Sequence, residues 1–155
     1  MGATPVDPLV GKRLANCILL KRVGKGGMGA VYVAHHIGLS KHVAIKILSR
    51  ELMGSEHNVQ RFLREAQLAA RLEHANIVTV FDVGEAQGVY YLVMQYVEGP
   101  SLDKIMEVGG PMAAGDVARV LLQVCDALTA AHKVGIVHRD IKPGNVMLMR
   151  SGAVK

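Results

Sequence analysis

The 155-residue sequence contains no Trp, two Phe and four Tyr, so few flat side chains are available for stacking the bases of a single-stranded nucleic acid. Lys and Arg together number 18 against 13 Asp and Glu, a net charge of +5. No run of five like charges occurs, and a dispersed excess of this kind describes a solvated surface rather than a nucleic-acid or membrane patch. Nucleic acid is therefore not an expected partner. The two cysteines, Cys17 and Cys125, lie far apart among apolar neighbours and form no C-x-x-C pair; two buried free thiols in a reducing compartment are expected. No apolar run approaches the roughly 18 residues of a membrane span, and Met1 to Pro8 lacks a basic-then-apolar signal pattern. A cytoplasmic location is expected, any membrane anchor lying outside this chain. The seven histidines show no H-x-x-x-H or Cys/His spacing, so a zinc site is not expected.

What is present suits a folded chain: 50% hydrophobic and 20% charged residues are ordinary globular values. Residues 1–16, with Pro5, Pro8 and Gly11 and no periodicity, read as a leader. Five segments rich in β-branched and aromatic residues predict strands: Cys17 to Val23, Ala30 to Ala34, His42 to Leu48, Ile77 to Val83 and Val89 to Met94. Between the third and fourth, Val59, Phe62, Leu63, Ala66 and Ala70 recur at helical spacing. Gly99-Pro100 then breaks the chain, and Ser101 is a candidate N-cap for a short helix through Leu102, Ile105 and Met106. Val117, Val120, Leu121, Val124 and Leu128 predict a longer helix ending near Lys133 and Gly135. The order is that of an α+β fold with segregated lobes: a five-stranded antiparallel sheet plus one helix, then helices and a polar loop.

Chemistry concentrates in His138-Arg139-Asp140-Ile141-Lys142-Pro143-Gly144-Asn145. Phosphoryl transfer requires a carboxylate to orient a hydroxyl, a cation near the phosphate and a metal ligand; Asp140, Lys142 and Asn145 supply these residue types in turn. The amide of Asn145 offers a neutral oxygen of the kind Mg²⁺ accepts, whereas His138 is expected to pack rather than react. Gly24-Lys25-Gly26-Gly27-Met28-Gly29 fits G-x-G-x-x-G, a spacing shared with dinucleotide-binding folds and with plain hairpin loops. A dinucleotide fingerprint opens a helix, while Ala30-Val31-Tyr32-Val33-Ala34 after these glycines is strand-like. A glycine turn between strands lets backbone N–H groups approach phosphate oxygens. In Val43-Ala44-Ile45-Lys46 the strand period of two puts Ala44 and Lys46 on one face and Val43, Ile45 and Ile47 on the other. Ala44 leaves room for a planar base while Lys46 reaches phosphates. Glu65, at the edge of the apolar helix stripe, is the candidate anionic partner of Lys46; the competing reading is an exposed i,i+4 pair with Arg61.

With these motifs in order, the chain resembles the protein kinase superfamily from about Cys17 to Lys155. Lys142-Pro143 resembles serine/threonine rather than tyrosine kinases, and Gly26-Gly27-Met28-Gly29 with Tyr91-Leu92-Val93-Met94 resembles the bacterial eukaryotic-like serine/threonine kinases. The resemblance implies a bilobal kinase fold, with 17–98 the small lobe and hinge and 99–155 the start of the large lobe. It implies ATP and Mg²⁺ as cofactors and a protein substrate bearing a Ser/Thr acceptor. Val23, Val31 and Ala44 would roof the adenine, Met147 floor it and Met94 act as gatekeeper, with hinge contacts at Gln95 and Val97; Arg139 would gather a phosphorylated activation loop. The glycine-loop residues Gly24 to Gly29 and Lys46 would bind phosphates, Asp140, Lys142, Lys46 and Glu65 would be catalytic, and Asn145 would hold metal. The sequence stops before the family's D-F-G segment, so the 155 residues are expected to be a kinase-domain fragment, inactive alone and open to self-association through uncovered large-lobe surface. The alternative is a non-catalytic nucleotide-binding or protein-docking module.

Overall fold

The strand period decides which residues reach the core. In the computed structural model, which describes residues 7–155, Val43, Ile45 and Ile47 are at most 7% exposed and pack with Leu14, Cys17, Leu19, Tyr32, Ala34, Tyr91 and Val93. All descend to one face of a single antiparallel sheet. Its strands are β1 (Arg13–Leu14), β2 (Cys17–Gly26), β3 (Gly29–His36), β4 (Lys41–Leu48), β5 (Val80–Ala86) and β6 (Val89–Gln95), in the spatial order β1-β2-β3-β4-β6-β5. The sheet thus has six strands where five were expected. The extra one comes from the segment expected to be a leader: residues 1–6 lie outside the described residues, but Leu14 is buried and pairs with Cys17. Asp7 ties this segment down. Its carboxylate accepts from Arg22 (2.7 Å), from the Tyr32 hydroxyl (3.0 Å) and from its neighbouring Leu9 N–H (3.0 Å).

Two helices follow β4, α1 (Arg50–Met53) and α2 (Glu56–Ala69). The Ser49 hydroxyl caps α1 by accepting from Leu52 N–H, and α2 buries Val59 and Ala66, seven residues apart and therefore on one face. The chain divides into two compact units. The first runs to Ala70 and includes Val80–Tyr96; the second comprises Arg71–Thr79 and Val97–Lys155. Strand formation accordingly begins at Val80 rather than Ile77: the Ile77 carbonyl is used within the second unit, where it accepts from Lys155 Nζ at 3.1 Å.

The second unit contains α3 (Leu102–Gly109), α4 (Ala114–Lys133) and a 3₁₀ turn at Pro143–Asn145. Leu102, Val120, Val146 and Val154 form its buried cluster. Asn76 knits the unit together by donating to Gln123 Oε1 (2.9 Å) and to the Val154 carbonyl (2.8 Å), while Gln123 Oε1 also accepts from Val154 N–H (2.9 Å). Of the expected α4 stripe, Val120 is buried and Val124 and Leu128 are half-buried, but Leu121 is 54% exposed. Cys125 is exposed as well, contrary to expectation. Five residues on from Val120, it lies about 140° round the helix from the inward face. Among the described residues no helix is long and apolar enough to cross a membrane.

Candidate active site

The first unit carries the glycine loop and the lysine strand. Val23, Gly24, Lys25 and Gly26 end β2, Gly27 and Met28 turn, and Gly29 starts β3. Pairing of β3 with β4 sets Val31 opposite Lys46 and Val33 opposite Ala44, and pairing of β4 with β6 sets Met94 opposite Ala44. Since directly paired residues share a face, Val31, Ala44, Lys46 and Met94 come together on the side of the sheet away from the apolar cluster. The turn folds toward this face: Met28 Sδ lies 4.0 Å from Lys46 Nζ. Gly26 and Gly27 have open space where a Cβ would project, whereas a Cβ on Gly29 would sit 1.9 Å from the Ile47 carbonyl oxygen. Gly29 also has φ +142°, so it is the glycine that lets the loop close onto β4. Gln95 follows Met94 on β6, and its buried Oε1 has no hydrogen-bond partner among the described residues.

Glu65 does not pair with Lys46. It lies 3.7 Å from Arg61, both side chains more than half exposed, which is the competing i,i+4 arrangement. The helix stripe buries Ala66, the next residue, and this turns Glu65 outward.

The second unit carries the polar loop. Asp140 Oδ2 accepts from Lys142 Nζ at 2.9 Å and from Asn145 Nδ2 at 2.9 Å, and the same amide nitrogen reaches the Asp140 carbonyl at 2.8 Å. Lys142, foremost, and then Asn145 hold the Asp140 carboxyl below the usual aspartate range. Both acceptors facing the Asn145 amide are oxygens, so its nitrogen must be the atom turned toward Asp140. Its Oδ1 is left for another ligand, and a carboxamide oxygen is a donor that Mg²⁺ takes; the residues fit the ion on that ground. Pro143 at the first turn position supplies the fixed φ that starts the 3₁₀ turn carrying Asn145. His138 is exposed instead of packed, and its Nδ1 accepts from Asp140 N–H at 3.3 Å. Val97 is buried and Met147 half-buried, the latter bridged to Ser101 and paired through its backbone with Lys155.

Two features escaped the sequence reading. Arg139 adopts φ 65°, a left-handed conformation that costs a non-glycine residue about 1–2 kcal/mol and turns the chain immediately before Asp140. No composition signal marks it. Ser101 stands at the N-cap position of α3 without capping: its hydroxyl donates to Asp103 Oδ1. Asp103 Oδ2 lies 3.1 Å from where a Cβ on Gly144 would be, so a side chain at 144 would displace the carboxylate.

The chain matches the protein kinase domain family over residues 18–155. It is 47% identical to the serine/threonine-protein kinase Pkn1 of Myxococcus xanthus over 144 residues, 93% of this chain and 20% of that protein. Against the serine/threonine-protein kinase PrkC of Bacillus subtilis it is 41% identical over 148 residues, 95% of this chain and 23% of that one. The crystal structure of the Mycobacterium tuberculosis PknI kinase domain superposes with a TM-score of 0.83 at 34% identity, covering 93% of this chain and 58% of that chain. This chain therefore spans only part of the length of the proteins it matches. With its glycine loop between two strands, its lysine strand and its Asp140–Lys142–Asn145 loop, it belongs to the protein kinase family.

Proposed function

We propose that the protein containing this chain transfers the γ-phosphoryl group of ATP to Ser or Thr hydroxyls of proteins. The observation that carries this reading is the loop in which one carboxylate, Asp140, is held by Lys142 and Asn145 at 2.9 Å each. A depressed pKa keeps Asp140 ionised, so it orients an acceptor hydroxyl and takes its proton as oxygen bonds to phosphorus. Lys142, beside it, stabilises charge on the transferring group. On the first unit, Gly24 to Gly29 and Lys46 bind phosphates, and Val23, Val31, Ala44, Met94 and Gln95 contact the base. Glu65 is assigned to Lys46 in a state where α2 turns it inward, since regulated enzymes switch by such helix shifts. Mg²⁺, when bound, neutralises charge on the phosphate oxygens; Asn145 Oδ1 is the atom of this chain that would hold it. The printed names of the relatives, serine/threonine-protein kinases, support the acceptor class.

The test is Asp140→Asn in the full-length protein. Turnover falls by about 10²–10⁴-fold, the scale of general-base catalysis, while nucleotide affinity is retained; Lys46→Met disturbs nucleotide binding too. Wild-type turnover in Asp140→Asn refutes the role. We further infer that residues 1–155 alone transfer phosphate poorly, because Asn145 by itself is a sparse metal site. They are also inferred to self-associate through Leu121 and Leu122, which are 54% and 67% exposed. A phosphotransfer assay and a size distribution on that polypeptide test both points.

A further inference from the structure

The reverse face of the sheet holds a cavity of about 470 Å³, within the range of roughly 300–1,000 Å³ typical of ligand sites. It lies wholly in the first unit and on the side opposite Ala44 and Lys46. Leu14, Leu19, Tyr32 and Ile47, each at most 7% exposed, lie beneath it, and half-buried Leu9, Ala30, Met53 and Val89 supply its accessible apolar lining. Five cations line it, Lys12, Arg13, Arg22, Lys25 and Arg50, against two acids, Asp7 and Glu51. Arg22 is neutralised by Asp7 at 2.7 Å. Lys12, Arg13, Lys25 and Arg50 have no carboxylate partner among the described residues.

These cations come from three separate stretches: the segment before β2, the end of β2, and the start of α1. A ligand with one anionic head meets one such group, whereas a peptide with an apolar anchor flanked by acids meets several while the anchor covers Leu9, Ala30, Met53 and Val89. Gly26, Gly27 and Gly29 line the same cavity, so whatever fills it presses on the back of the loop assigned above to the ATP phosphates. We propose that this cavity is an effector site for an acidic protein segment, with one or two large apolar residues between Asp or Glu residues, and that its occupancy alters nucleotide affinity. The coupling half of this proposal rests on the nucleotide-binding reading; the peptide site does not.

The experiment uses the full-length protein and a fluorescein-labelled probe, Asp-Glu-Leu-Phe-Glu-Asp, followed by anisotropy with and without a non-hydrolysable ATP analogue. Saturable binding is expected, weakened about tenfold or more by Lys12→Glu with Arg50→Glu, the scale on which like charges disfavour a complex, and reduced by added salt. Neither residue belongs to the proposed ATP or catalytic machinery. The milder pair Lys12→Gln with Arg50→Gln weakens binding in the same direction if the reversed variant fails to fold. Equal binding of Asp-Glu-Ser-Ser-Glu-Asp would reduce the site to bulk charge attraction and overturn the proposal. So would tighter binding of phosphatidylglycerol vesicles in competition with the probe. Deletion of residues 1–6 should leave probe affinity unchanged; a large gain would make the chain's own start the occupant and overturn it also. By linkage, the analogue must change probe affinity by the factor by which the probe changes analogue affinity, about fivefold or more for an ordinary coupling. Probe binding without that change overturns the effector role. Failure of the analogue to bind in the absence of probe refutes the nucleotide reading instead, so the two failures are distinguishable.

Discussion

Gly29→Ala separates structure from function inside one glycine motif. A methyl group at this position meets the Ile47 carbonyl oxygen at 1.9 Å and the Ser49 nitrogen at 3.0 Å, and the residue's φ is +142°. These nearest atoms are backbone, so relief requires β3 to part from β4 by roughly 1 Å or more, since a methyl carbon is repelled well inside its optimal contact of about 3.5–4.0 Å. The first bonds to suffer are the Gly29–Leu48 pairing and the Ser49 N–H to Met28 carbonyl bond at 3.0 Å. Backbone strain of about 1–3 kcal/mol and a lost backbone hydrogen bond of about 1 kcal/mol together give a destabilisation of roughly 2–4 kcal/mol. Gly26→Ala and Gly27→Ala are the internal controls: nothing lies within 4 Å of a Cβ at either position, and neither has a positive φ. They should leave stability unchanged or raise it by about 0.4–1 kcal/mol through the unfolded chain, while weakening nucleotide binding if phosphates approach the loop there. Urea denaturation of the three variants, with hydrogen exchange at the Ser49 amide, measures the contrast. If Gly29→Ala were as stable and as protected as Gly26→Ala, the close approach of the loop to β4 would be wrong.

Three further outcomes are expected. Lys142→Ala removes the chief influence depressing the Asp140 pKa, so the acid limb of the kcat/KM profile of the full-length protein should move to higher pH; an unmoved limb would show that Lys142 does not act on Asp140. The Asp7 carboxyl is held below its ordinary range, first by the Leu9 N–H and then by Tyr32 and Arg22. Its stabilisation is therefore complete above the unfolded aspartate pKa of about 3.9 and disappears as pH falls through the lower folded value. Urea midpoints measured down the acid range should fall less steeply in Asp7→Asn than in the wild type. Asn76→Ala leaves the Val154 carbonyl and Gln123 without their shared donor, at a cost of about 1–3 kcal/mol for half-buried groups, and should raise amide exchange around Val154.

Local pattern and tertiary position contributed differently to this protein. The alternation at 43–47 sufficed to say that Val43, Ile45 and Ile47 enter the core while Ala44 and Lys46 share the other face, because strand geometry leaves no third choice. The octet from His138 to Asn145 likewise placed Asp140, Lys142 and Asn145 within reach of one another, since their donors and acceptors meet across five residues or fewer. Helix-borne groups were less legible. Glu65 sits at the margin of its stripe, and with Ala66 beside it buried it is left paired with Arg61 on its own helix. Cys125 has apolar neighbours in sequence yet lies off the buried line of α4. Least legible were the ties between distant positions: Asp7 with Tyr32 across 25 residues, and Asn76 with Val154 across 78. Nothing in a local window distinguishes such an Asp or Asn from one in a solvated loop. Only when the sheet closes over Leu14, and α4 lies beside the segment around Val154, do these polar groups lose water and acquire one set of partners.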